Sequence, residues 1–133
     1  MAGTPHPEKV EAYYKKDISF ALAWHAQHAS IGFFNGINIS TGTEGPSFKS
    51  YLDALGAKDR SSGTPLSTII NDQFTGVSNK LNNLSPNLYQ QVQVNNQAMI
   101  DTSTEMQKIV RMLKVDMTSV MSITITYTDN DGD

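Results

Sequence analysis

Apolar residues recur at three- and four-residue spacing over three long stretches of this chain, which is the pattern of amphipathic α-helices. The first stretch covers residues 7–34, and Asn35-Gly36 after it is a typical helix stop. Its apolar positions fall on one face, made of Val10, Tyr14, Ile18, Ala21, Leu22, His25, Ala29, Gly32 and Phe33. We therefore predict one long first helix that buries this face.

The second and third helices are marked by their beginnings. Thr64-Pro65 and Ser85-Pro86 each place a capping hydroxyl before a proline at the first helical position. The second helix then carries its inward side chains at Leu66, Ile70, Phe74, Val77, Leu81 and Leu84. Because only the break at Ser85-Pro86 separates the two helices, the sequence predicts an antiparallel helical hairpin.

The third helix repeats an apolar residue every seven positions, at Val92, Met99, Met106, Leu113 and Val120. Its other inward positions are polar early, at Asn95 and Asn96, and apolar late, at Ile109 and Val110. We expect its second half to be the better-buried half.

A segment rich in Gly, Ser and Thr connects the first two helices and carries a short amphipathic stretch. Residues 47–55 are predicted to form a crossover helix with Phe48, Tyr51, Leu52 and Leu55 inward. Neither this segment nor the rest of the chain shows an internal repeat. The three long helices and this short one predict an up-and-down bundle.

The C-terminal residues follow a different period, because Ile123, Ile125 and Tyr127 alternate with threonines. Strict alternation is typical of a β-strand, and a single strand needs a partner for its backbone groups. The internal candidate is Ile37-Asn-Ile-Ser40; the alternatives are a second copy or a missing piece. The predicted fold class is thus all-α, a helical bundle of three long helices plus a short crossover helix, with a short C-terminal β-strand.

The composition limits the number of domains, the expected partners and the kinds of metal site. The chain has 133 residues, 38% of them hydrophobic, which suits one helical-bundle domain over residues 1–133. Ten Lys and Arg against 13 Asp and Glu give a net charge of −3, so nucleic acid is not an expected partner. The absence of cysteine excludes disulfides and thiolate metal sites. No membrane-spanning segment and no signal-peptide layout is visible in the sequence.

The residues with the most evident chemistry are His25 and His28. Two histidines three residues apart on a helix can present both imidazoles to one ion, and first-row metals and haem iron accept them. Further ligands would have to come from neighbouring helices, at Asp72, Asp101 or Glu105. The alternative is that His25 is a hydrogen-bonded core residue, with His28 at the edge of the apolar face and Trp24 packed beside both. No hydrolase motif accompanies the pair.

Four segments together resemble the C-terminal half of an imelysin-like protein. They are Tyr13-Tyr14 with Asp17-Ile18-Ser19, then Gly32-Phe-Phe-Asn-Gly36, then Pro46-Ser-Phe-Lys-Ser-Tyr-Leu52, and Thr124-Ile-Thr-Tyr-Thr-Asp-Asn-Asp-Gly-Asp133. The resemblance implies one half of a two-half, all-helical bacterial protein in the periplasm or at the outer surface, linked to iron or haem acquisition. The family's Gly-x-His-x-x-Glu motif is matched here by His25 alone, since Ala23 and His28 replace its Gly and Glu.

Three functional hypotheses follow. The first is a non-catalytic domain of an exported imelysin-like protein that serves iron or haem uptake, with His25 and His28 as ligands for iron, zinc or haem. Its partner would be the N-terminal half of the same protein or a second copy. The second is a structural protein–protein docking module with no ligand of its own, and the third is a metal-dependent peptidase.

Overall fold

In a computed structural model, which describes residues 6–9 and 14–124, the chain is a helical bundle. Its α-helices are α1 (Ser19–Asn35), α2 (Phe48–Ala54), α3 (Leu66–Asn82) and α4 (Leu88–Arg111); a 3-10 turn (Pro7–Lys9) precedes them, and a π-helical stretch (Met112–Met117) leads into α5 (Thr118–Val120). The prediction of three long helices and a short crossover helix is confirmed. Within the described residues, no helix has the length and apolarity needed to cross a membrane.

Helix α3 supplies the largest share of the hydrophobic core. All six predicted inward side chains are buried, five of them on α3 and Leu84 just after its end. Helix α3 packs against α1, α2 and α4. The remaining core members come from the other elements and are Phe34, Leu52, Ala57, Leu88 and Ile109. The other helices are therefore organised around the apolar face of α3.

Helices α3 and α4 form the predicted antiparallel hairpin. Across it, the Gln73 amide donates to the backbone carbonyl and to a carboxylate oxygen of Glu105, at 3.1 and 2.7 Å. Helix α4 begins two residues after Pro86, because the Asn87 side chain accepts the Gln90 N–H at 3.0 Å and thereby caps the helix.

Helix α4 is interrupted at Asn95, whose φ and ψ are −151° and 77°. Its side-chain oxygen accepts the Ala98 N–H at 3.2 Å, so Asn95 acts as a second cap within the helix. Buried residues lie on both sides of this break, Leu88 before it and Thr102 and Ile109 beyond it, and Val110 is exposed. The prediction that the second half is the better-buried half is therefore not confirmed.

The prediction that the first helix starts at Pro7 is wrong. Residues 16–18 form a turn, and α1 begins only at Ser19. The Ser19 hydroxyl donates to the Lys16 carbonyl at 3.3 Å and accepts the Leu88 N–H at 3.1 Å. It thus joins the turn before α1 to the start of α4 by hydrogen bonds.

The loops that follow α1 and α2 have the same structure, in residues 38–43 and 59–64. In each, the N–H of the first residue donates to the carbonyl of the sixth at 2.9 Å. The fifth residue is a glycine with φ near 70°, and its N–H donates to the first carbonyl, at 2.7 and 2.9 Å. The side-chain oxygen of the first residue, Asn38 or Asp59, accepts the N–H groups of the third and fourth at 2.8–3.1 Å. The chain therefore contains a structural repeat, contrary to the sequence-based expectation.

Each loop is closed by a single β-bridge, Ile37 with Glu44 and Lys58 with Pro65. Ile37 thus pairs within its own loop, and the predicted pairing of residues 37–40 with the C-terminal strand involves residues outside the described ranges. Ile123 and Thr124 have no strand conformation, and the rest of that predicted strand falls in residues 125–133, outside the described residues.

The Asp59 loop predicts an acid-dependent component of stability. Hydrogen bonds from the Ser61 side chain, the Ser62 N–H and the Ser62 side chain lower the pKa of Asp59 from 3.8 to about 2. Because the folded-state pKa is depressed, the Asp59 contribution is complete above about pH 4 and is lost as the pH falls towards 2. The stability difference between the wild type and Asp59→Asn, measured by urea unfolding, should shrink over that interval.

Asn38 shows that a side-chain amide can accept the same two N–H hydrogen bonds in the equivalent position of the first loop. Asp59→Asn should therefore fold as the wild type does at pH 7, while Asp59→Ala should be less stable because both N–H groups lose their acceptor. An unchanged difference between pH 5 and pH 2 would contradict the assignment.

Candidate functional site

The inner side of α1 carries three buried polar residues among its apolar ones. Ser19, Gln27 and Asn35 are buried there, and Phe34 is the fully buried apolar residue. The Gln27 amide donates to the Phe74 carbonyl of α3 at 3.2 Å. Asn35 and Asn71 exchange two amide hydrogen bonds, at 2.9 and 3.0 Å. Helix α1 is thus fixed to α3 by directional bonds as well as by apolar contact.

The opposite side of α1 is apolar and exposed. This outer face consists of Ile18, which immediately precedes the helix, and of Leu22, His25, Ala29 and Phe33. Leu22 is 51% exposed and Phe33 is 74% exposed. None of the 17 residues of α1 is Asp, Glu, Lys or Arg. A solvent-facing helix of a soluble domain normally carries charged side chains on this side.

The predicted inward face of α1 is therefore wrong, because it coincides with the outer face. Two apolar stripes run along the helix, and the stripe that contacts the core includes Phe20, Ala23, Ile31 and Phe34. Gln27 lies within that inner stripe and makes it look less apolar than the outer one. Hydrophobic spacing alone cannot say which of two such stripes is buried.

Two grooves flank Phe33 at the C-terminal end of the outer face. The first has a volume of about 700 Å³ and is lined by His25, His28, Ala29, Ile31, Gly32, Phe33, Ile37 and Ile39. The second, of about 540 Å³, is lined by Gly32, Phe33, Gly36, Ile37, Pro46, Ser47, Phe48 and Tyr51. Neither lining contains a carboxylate, a lysine or an arginine. Phe33, whose ring centroid lies 5.3 Å from that of Phe48, forms the ridge between them.

Two further elements extend this apolar surface. Ile39, in the loop after α1, is 100% exposed. On α2, Leu52 is buried as predicted, but Tyr51 is exposed, and so is Leu55 just after the helix; the sequence suggested that both were inward. The sequence signals for this surface were the charge-free stretch of α1 and two isoleucines, Ile37 and Ile39, within a Gly, Ser and Thr segment.

His25 and His28 lie at the edge of the first groove, and both are exposed. The His28 ring stacks on Trp24 with centroids 3.7 Å apart and a 31° interplanar angle. His25 meets Trp24 edge-on at 5.2 Å. The packing of Trp24 against both histidines is confirmed, whereas a core position for His25 is wrong.

The three carboxylates proposed as further metal ligands do not line this groove. Asp72 is exposed on α3, and Asp101 accepts a hydrogen bond from Gln97 at 2.7 Å. Glu105 accepts hydrogen bonds from Lys108 and Gln73, which lower its pKa. Across residues 6–9 and 14–124, no three His, Cys, Asp or Glu residues are grouped to hold a metal ion. The described residues therefore provide two imidazoles beside an apolar groove.

No protein-family model matches this chain, and no curated protein or solved structure matches it either.

Phe33 and Phe34 provide a test of which side of α1 faces out. Phe34 is 2% exposed, so Phe34→Ala should lower the free energy of unfolding by about 3–5 kcal/mol through a lost core side chain. Phe33→Ala should change the free energy of unfolding by about 0.5 kcal/mol or less, as is usual at surface positions. Urea unfolding at low micromolar concentration measures both, and equal losses would contradict the assigned orientation.

Proposed function

We propose that this chain is a non-catalytic helical domain that docks onto another protein surface through the outer face of α1. The observation that carries the proposal is the exposed, charge-free apolar face of this helix, on which Leu22 and Phe33 face out while Gln27 and Asn35 are buried on the other side. Contiguous exposed apolar surface of this kind is typical of interaction sites. A helix face that remains in contact with water normally carries charged side chains, so their absence here indicates that another surface covers the face.

The resemblance to imelysin-like proteins suggests a biological role for this docking. It implies a half-protein that needs a partner, which an apolar outer face on the first helix would suit. The assembled protein would then serve iron or haem uptake at the bacterial periplasm or outer surface. This part of the proposal rests on the resemblance of the four quoted segments.

Site-specific photo-crosslinking tests the docking proposal. A benzoylphenylalanine at position 33, in cells that produce the protein natively, should give one discrete adduct whose crosslinked peptide maps to a defined protein surface. The same probe at Gln107, an exposed position on α4 away from the outer face, should give none. Absence of an adduct at position 33, or the same adducts from both positions, would contradict docking through this face.

A second candidate function is iron or haem binding at His25 and His28. The favouring observation is that both imidazoles border the uncharged 700 Å³ groove. Haem combines apolar faces with an iron that takes imidazole ligands, so this donor set suits haem better than a closed zinc site with four protein ligands.

Titration with haem, Fe²⁺ and Zn²⁺, followed by absorbance and calorimetry, tests this candidate. Binding at one equivalent should be lost in the His25→Ala/His28→Ala double variant. The third histidine provides the matched control, because His6 interacts with Glu8 near the N-terminus and His6→Ala should bind as the wild type does. Equal affinity in the double variant would reject the two histidines as ligands.

A further inference from the structure

We infer that the partner that covers the outer face of α1 is a second copy of this chain, with the two α1 helices in contact around Gly32. This inference rests on the proposed docking function and specifies its occupant. Three features of the surface support it: Gly32 within the helix, the absence of charged residues and the exposed apolar area.

Gly32 lies within α1 and lines both grooves. A glycine inside a helix is less favourable than alanine, so it needs a compensating reason. A Cβ added at Gly32 would meet nothing within 4 Å, whereas one at Gly36 would approach three neighbouring atoms to 2.7–2.8 Å. The fold of the single chain therefore requires glycine at Gly36 but leaves open space at Gly32, as it does at Gly76 on α3. Of these two helical glycines, Gly32 is the one that lies on the outer face of α1. Close approach of a second backbone explains it, because small residues allow helix axes to come together.

The charge distribution permits a copy of the same surface as the partner. A two-fold axis places a patch opposite itself, so a net charge on the patch would repel the same net charge on its copy. Helix α1 and both groove linings lack Asp, Glu, Lys and Arg. The outer face can therefore meet its own copy without electrostatic cost.

The size and shape of the surface are those of a dimer interface. Its large exposed side chains are Ile18, Leu22, Phe33, Ile37, Ile39 and Tyr51. If a partner covered them completely, they would bury on the order of 700 Å², somewhat less than the roughly 800 Å² that each partner buries in a standard interface. The Phe33 ridge between two grooves also gives each copy both parts of a ridge-into-groove contact.

Sedimentation equilibrium of the full 133-residue chain tests the inference, in buffer with EDTA so that no metal bridges the histidines. The wild type should show a concentration-dependent monomer–dimer equilibrium. Gly32→Ala should raise the dimer Kd at least about tenfold, because the added methyl group holds the helices apart. The same variant should raise the Tm measured at a concentration where the chain is monomeric, since alanine favours the helix.

Gly76 is the matched control, because it lies within α3 and its added Cβ also meets nothing within 4 Å. Gly76→Ala should raise the monomer Tm in the same way and leave the dimer Kd unchanged. A Gly32→Ala protein that dimerises like the wild type would overturn the inference.

A wild type that stays monomeric up to about 1 mM would also overturn the second copy as occupant. The crosslinking result at position 33 then separates the two proposals. An adduct with a different protein would leave docking in place, whereas no adduct would remove docking as well.

Discussion

The hydrogen bonds on the inner side of α1 decide which surface this domain presents. Rotating α1 to bury Leu22 and Phe33 would pull Gln27 from the Phe74 carbonyl and Asn35 from Asn71. Buried amides without partners cost more than the bonds themselves contribute, so the helix is held in the orientation that leaves its apolar face outside. The grooves, the Phe33 ridge and the exposed histidines all depend on this orientation.

The sequence predicted α3 and missed the orientation of α1 for the same physical reason. Helix α3 has one apolar stripe, and polar or charged residues such as Asp72 and Lys80 occupy its other side, so burial followed from spacing. Helix α1 has two apolar stripes of similar strength. Only one stripe contains polar residues that can bond to the Phe74 carbonyl and the Asn71 amide of α3. The positions of these partners depend on the tertiary structure, so the spacing of residues in the sequence cannot reveal them.

The repeated loop could have been predicted from the sequence by comparing residue types, but a search for identical residues misses it. Residues 38–43 and 59–64 share an Asn or Asp first, hydroxyl residues third and fourth, and Gly-Thr last. Each position has a conformational reason: an acceptor for two N–H groups, short side chains in the turn, and a glycine at positive φ. The start of α1 was harder, since Ser19 acts on Leu88, which lies 69 residues further along the chain.

The two candidate functions use the same surface, which constrains how they combine. His25 belongs to the outer face of α1 and also lines the first groove with Gly32 and Phe33. A second helix packed at Gly32 would cover that groove, and a haem in the groove would hold the helix away. Because each occupant excludes the other, binding of one would lower the apparent affinity for the other by competition. A domain with both activities would therefore alternate between assembled and ligand-bound states through a single face of one helix.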